Sequence, residues 1–98
     1  MQCDLFKTLW GHEGSFESAA LLASAAGFSG IEAPAPEHDD QRTELAQVLR
    51  HHGLSYIAEI CTAGSYVPDR HATPDEHLQS LEQKIQRSLP LEPVFFNV

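Results

Sequence analysis

Two carboxylates and a lysine occupy similar positions in three predicted strands. Lys7 lies in the first strand-like run, Glu32 near the end of the second, and Glu59 near the end of the third. An unpaired carboxylate is costly beneath a layer of helices, so we expect Glu32 and Glu59 to point to the opposite side of the sheet, with Lys7 beside them. Such a cluster suits acid–base catalysis or substrate binding. The alternative is an ion network that serves structure alone.

An indole and an imidazole follow the first strand. Trp10 and His12 stand where the loop after this strand begins, and we predict that they bind substrate together with Lys7, Glu32 and Glu59. The catalytic residues stay unknown, with Glu32 and Glu59 as candidates. No metal site is predicted within the chain, because its six histidines show no HxxxH spacing and no CxxC pair occurs.

The elements that must position these side chains alternate in the order β-α-β-α-β-α-β. The strands are predicted over residues 4–10, 31–33, 55–61 and 94–98, with a loop over residues 62–72. Ser15 is expected to cap the first helix and Thr73 the third, where Pro74 follows. Asp39 or Asp40 is expected to cap the second helix, which Gly53 ends.

Apolar spacing predicts which face each helix buries. The first helix has a face of mostly small residues, comprising Phe16, Ala19, Ala20, Leu22, Ala23 and Ala26. The second helix has a shorter stripe, comprising Leu45, Val48, Leu49 and His52. The third helix has a predicted buried stripe, comprising Leu78, Leu81, Ile85 and Leu89. We expect all three faces to contribute to one core.

Helices that separate successive strands require those strands to be parallel. Three right-handed crossovers in one direction place every helix on the same face of the sheet. A flavodoxin-like fold would need helices on both faces, and the loop from Trp10 to Gly14 is a poor phosphate cradle. We therefore predict one domain over residues 1–98 with an α/β fold, a parallel (βα)3β segment of an incomplete TIM (β/α)8 barrel.

The composition and net charge disfavour certain classes of binding partner. The chain has 98 residues, 42% of them hydrophobic, and a net charge of −8. This acidity argues against binding nucleic acid through a basic surface. No apolar run approaches the ~20 residues that span a bilayer, and the first residues lack a signal-peptide core, so we expect neither a membrane partner nor secretion but a cytoplasmic location. Cys3 and Cys61 are expected to be buried free thiols.

Four stretches resemble one known group of proteins. They are KTLWG (Lys7–Gly11), SFESAALLASAAGFSGIEAP (Ser15–Pro34), AEICTAG (Ala58–Gly64) and VFFNV (Val94–Val98). Together they resemble the N-terminal part of the xylose-isomerase-like TIM-barrel family. The resemblance is to its sugar phosphate isomerase/epimerase group, which shares its fold with the apurinic endonucleases.

This resemblance implies a metal-dependent isomerase or epimerase acting on a sugar or sugar phosphate. Complete barrels run to about 250 residues, and the family holds a divalent metal through Glu, Asp, His and Glu on later strands. The 98 residues reach only strand 4, so no metal ligand or other cofactor is expected within this chain. We expect the early strands to contribute pocket residues, and the chain alone to be inactive.

Two other functions stay open. Unpaired edges of strands 1 and 4 favour an assembly module without catalytic activity, in which half-barrels pair with each other or with another chain. Such pairing makes a homo-oligomer possible. An apurinic-endonuclease-like protein is the weaker alternative, because the chain lacks a basic, aromatic-rich surface.

Overall fold

Alternating strands and helices make up the computed structural model, which describes residues 3–64 and 67–98. Part of the predicted loop over residues 62–72, including Tyr66, lies outside the described residues. The helices are α1 (Phe16–Ala25), α2 (Asp39–His52) and α3 (Pro74–Ser88), and a 3₁₀ turn (Leu89–Leu91) follows α3. The strands are β1 (Phe6–Thr8), β2 (Gly30–Ala33), β3 (Ser55–Glu59) and β4 (Phe95–Asn97).

The four strands form one parallel sheet in the order β1-β2-β3-β4. The predicted α/β class, with its parallel (βα)3β order, is therefore confirmed. The outer strands are shorter than predicted: β1 was expected over residues 4–10 and β4 over 94–98. A strand ends where its backbone no longer pairs with a neighbouring strand, but the alternating sequence pattern continues beyond that point. The pattern therefore overestimates strand length.

One face of the sheet is buried beneath helices. Ile31 and Ala33 of β2 share a core cluster with Tyr56 and Ala58 of β3. Helix residues complete that cluster, namely Ala20, Ala23, Leu45, Val48 and Leu49. Alternate residues of a strand point to opposite faces, so the neighbours of these core residues lie on the other side.

We call that other side the open face, defined by Glu32, Ile57, Glu59, Phe95 and Asn97. The strand register places Glu32 beside Ile57 and Ile57 beside Phe95, while Glu59 lies beside Asn97. Phe95 is 67% exposed, so an apolar ring stands in solvent on this face.

Two predicted apolar faces are only partly buried. In α1 the alanines at 19, 20 and 23 are buried, but Leu22 is 57% exposed. The predicted stripe on α3 is wrong at Leu78 and Leu89, which are exposed, while Leu81 and Ile85 are half-buried. The buried residue of this helix is Ser88. Leu91, in the following turn, joins the core instead.

Helix caps agree with the sequence at two of three starts. The Ser15 hydroxyl accepts a hydrogen bond from Ser18 N, and the Thr73 hydroxyl accepts one from Glu76 N. Neither Asp39 nor Asp40 is the cap of α2: that position is His38, whose side chain makes no capping bond. The two aspartates instead occupy the first turn, where negative charge favours the positive end of the helix dipole.

The cysteines are less buried than predicted. Cys3 is exposed and precedes β1, and Cys61 is partly buried just beyond β3. In the described part of the chain, no helix is long and apolar enough to cross a membrane.

Candidate functional site

Glu32 and Asn97 meet on the open face. The Asn97 Nδ2 donates a hydrogen bond to Glu32 Oε1 over 2.9 Å. These residues belong to β2 and β4, so their side chains reach each other across β3. The bond fixes one carboxylate oxygen of Glu32 at the carboxyl end of the sheet, which is the edge where barrels of parallel strands bind their ligands.

Glu59 is the second carboxyl group of this site. It ends β3 and lies beside Asn97 in the register, two residues beyond the partner of Glu32. Partial burial, and to a lesser degree the neighbouring Glu32 carboxylate, raises the pKa of Glu59 above its ordinary value. A carboxyl group with a raised pKa can donate a proton or a hydrogen bond nearer neutral pH, as acid–base chemistry requires.

The raised pKa predicts how stability depends on pH. The folded protein keeps a proton on Glu59 where the unfolded chain releases it, so the resulting stabilisation is complete at low pH and is lost as the pH rises through the raised pKa. Glu59→Gln cannot ionise, so its free energy of unfolding, relative to the unmodified chain, should increase as the pH rises from about 4 through the raised pKa of Glu59. Urea denaturation at stepped pH measures this difference.

Glu32→Gln provides the matched comparison. It removes the neighbouring charge and should lower the pKa of Glu59, leaving only the effect of burial. The pH-dependent difference that Glu59→Gln produces should therefore shrink when the same substitution is made in the Glu32→Gln background. Parallel pH profiles for the unmodified chain and Glu59→Gln would contradict the assignment.

Tyr56 anchors the site from beneath the sheet. Its hydroxyl donates to Ala33 O over 2.6 Å, and the side chain is 1% exposed. Burial, and secondarily the charge of Glu59, raises the pKa of the Tyr56 hydroxyl, which stays protonated as a donor. The last residue of β2 is thereby tied to the buried face of β3.

Lys7 does not join the carboxylates. The register places it beside Ile31, on the helix-covered side, whereas its neighbour Thr8 lies beside Glu32. Ion pairs among the described residues are Arg42–Asp39 and His52–Glu17, and neither involves Lys7. The predicted cluster of Lys7, Glu32 and Glu59 is therefore reduced to two carboxylates, because β1 presents the opposite parity.

Trp10 and His12 follow β1, in the loop that begins next to Glu32. Trp10 is 61% exposed, and its backbone N donates to Thr8 Oγ1. His12 Nε2 lies 3.1 Å from Ser18 Oγ, whose single proton is donated to Ser15 O. The hydroxyl must therefore accept from His12, which places a proton on Nε2.

A cavity of about 400 Å³ opens at the same end of the sheet. Its lining residues come mainly from the segments that follow β1, β2 and β3 and from α3. The ionisable or nucleophilic groups among its lining residues are His12, Glu37, Glu59, Cys61, Lys84, Arg87 and Ser88. His12 and Glu59 are thus brought to one cavity.

Three polar residues of this region were missed by sequence reasoning. Lys84 and Arg87 lie three residues apart on α3, a spacing that puts them on one helix face. This spacing in the sequence indicates a basic face on α3, whereas the leucine pattern indicates only which face of the helix could be buried. Asn97 shares the parity of Phe95, but its bond to Glu32 depends on strand order, which no local pattern contains.

The divalent metal that the family resemblance implies finds no ligand set in residues 3–64 and 67–98. No group of three or more His, Cys, Asp or Glu side chains that could hold a metal ion occurs there.

Comparison with known proteins identifies no similar protein. No family model matches the chain, and no curated protein or solved structure matches it either.

Proposed function

We propose that this chain supplies the substrate-binding wall of a barrel of the sugar isomerase/epimerase type. The ligand is a sugar or sugar phosphate, and its hydroxyl groups contact Glu32, Glu59 and Asn97. The observation that carries the proposal is the Asn97–Glu32 hydrogen bond next to Glu59, on the open face of the parallel sheet. Carboxylates and amides supply the acceptors and donors that vicinal hydroxyls need.

Each residue has a separate part in this proposal. Asn97 holds Glu32 so that the other carboxylate oxygen can accept a hydrogen bond from a ligand hydroxyl. Glu59, whose pKa is raised, donates or accepts a proton at a second hydroxyl. His12 and Trp10 belong to the loop beside this edge. In this proposal the chain binds sugar but does not turn it over by itself.

Titration of the chain with D-xylose, D-xylulose and D-xylulose 5-phosphate tests binding through amide chemical shifts. We expect saturable shifts at residues around Glu32 and Glu59, and about tenfold weaker binding in Glu32→Gln, since it loses a charged acceptor. Glu44→Gln on the exposed side of α2 is the control and should bind unchanged. Equal affinities of all variants, or isomerase turnover by the chain alone, would contradict the proposal.

An assembly module is the second candidate, and the exposed apolar residues favour it. Phe95, Val98 and Leu5 are 67%, 74% and 59% exposed, and they lie on or next to the two edge strands. Burial of these side chains between two copies would extend or close the sheet. The mass of the chain in the same titration samples decides: a dimer that Phe95→Ser dissociates supports this candidate, and a monomer contradicts it.

A further inference from the structure

The cavity at the carboxyl edge has a wall that the proposed sugar-binding residues do not use. Of the open face, it contains only Glu59, while Glu32 and Asn97 are not among its lining residues. Much of its wall is apolar, formed by Leu9 and Phe16 with the segment Ala33–Pro36. A volume of about 400 Å³ with such walls suits a small organic molecule.

Two cationic side chains of α3, Lys84 and Arg87, line the cavity, and they differ in their hydrogen bonding. The Lys84 Nζ donates hydrogen bonds to the carbonyls of Cys61 and Gly64, so it clamps the segment after β3. Arg87 is partly buried, and its guanidinium has no hydrogen-bond or ion-pair partner among the described residues. Five donors are thus left for a ligand at the edge of an apolar cavity.

We infer that this cavity binds a small molecule with an apolar body and a single oxyanion, a carboxylate or a phosphate, which Arg87 receives. The planar guanidinium matches the paired oxygens of either group. Glu37 and Glu59 line the same cavity and disfavour a second anionic group on the ligand. The ligand therefore lies with its charged end at α3 and its apolar body against Phe16 and Pro34.

This site shares Glu59 with the proposed sugar-binding residues but can be tested separately from them. It depends on α3 and on the loop after β2, whereas the sugar proposal depends on the Glu32–Asn97 pair. Failure of one proposal does not imply failure of the other. Arg87→Gln changes no residue of the open face, and Glu32→Gln changes no lining residue of the cavity.

Benzoate, phenyl phosphate and the neutral benzyl alcohol are the probes, followed by amide shifts of Phe16 and Ala35. We expect both anions to saturate these shifts and benzyl alcohol to bind at least about tenfold more weakly, since it lacks the charged hydrogen bonds. The anion that binds more tightly shows whether the site prefers a carboxylate or a phosphate. Failure of both anions to produce saturable shifts, or equal binding of benzyl alcohol, overturns the proposal.

Arg87 is tested by two variants and a matched control. Arg87→Gln should weaken anion binding about tenfold or more, and Arg87→Lys should weaken it less, because charge remains but the planar fork is lost. Arg70→Gln removes an equal charge from an exposed position outside the cavity and should bind like the unmodified chain. Unchanged anion affinity in a folded Arg87→Gln or Arg87→Lys chain overturns the assignment.

Discussion

A Gly30→Ala substitution is expected to lower the free energy of unfolding by about 3 kcal/mol, the upper end of the usual range for overpacking. Gly30 begins β2 next to Ser55, and an added Cβ would stand 2.2 Å from Ser55 O and 2.5 Å from the Phe6 ring. The ring could turn away, but the carbonyl belongs to the backbone of β3. The sheet must therefore separate locally at its central pair of strands. Urea denaturation followed by circular dichroism measures the loss.

Gly53→Ala is the matched comparison for this prediction. Gly53 ends α2 at φ +63°, and an added Cβ there would meet nothing within 4 Å. Its cost is only that of a left-handed backbone, about 1–2 kcal/mol. Equal losses for the two alanine variants would show that close approach of β2 and β3 at Gly30 does not constrain the fold.

Tyr56→Ala is expected to cost about 3–5 kcal/mol, the range for truncating a buried aromatic residue. Among the described residues, Tyr56 is the largest fully buried side chain, and it belongs to the cluster shared by β2, β3 and α2. Tyr56→Phe keeps the ring and removes only the hydroxyl that donates to Ala33 O, so we expect a loss of about 1 kcal/mol. The difference between the two variants, measured by urea denaturation, separates packing from hydrogen bonding.

Leu78→Ala is the control for truncation. Leu78 is 53% exposed on α3, so its loss should change the free energy of unfolding by no more than about 0.5 kcal/mol. A loss as large as that of Tyr56→Ala would mean that α3 contributes its leucines to the core after all. A Tyr56→Phe chain as unstable as Tyr56→Ala would contradict the packing argument.

The fold class was predictable because its signals are local. Turn residues such as Gly53, caps such as Thr73, and the alternation of Tyr56, Ala58 and Ile60 each depend on neighbours in the chain. Helices between strands then required a parallel sheet. The buried face of α3 could not be predicted in this way, because an apolar stripe indicates a potential contact surface without showing what the fold places against it.

Within the candidate site, the sequence by itself determined that Glu32 and Glu59 share a face, because each alternates with apolar strand residues and an unpaired carboxylate beneath the helices would be costly. Only the tertiary structure decided that Asn97 reaches Glu32 across β3, that Lys7 lies on the covered side, and that Arg87 faces a cavity. These three outcomes depend on strand order, on register and on the position of α3. The physical reason is that contacts between distant segments follow from how layers pack together, and no local propensity specifies that packing.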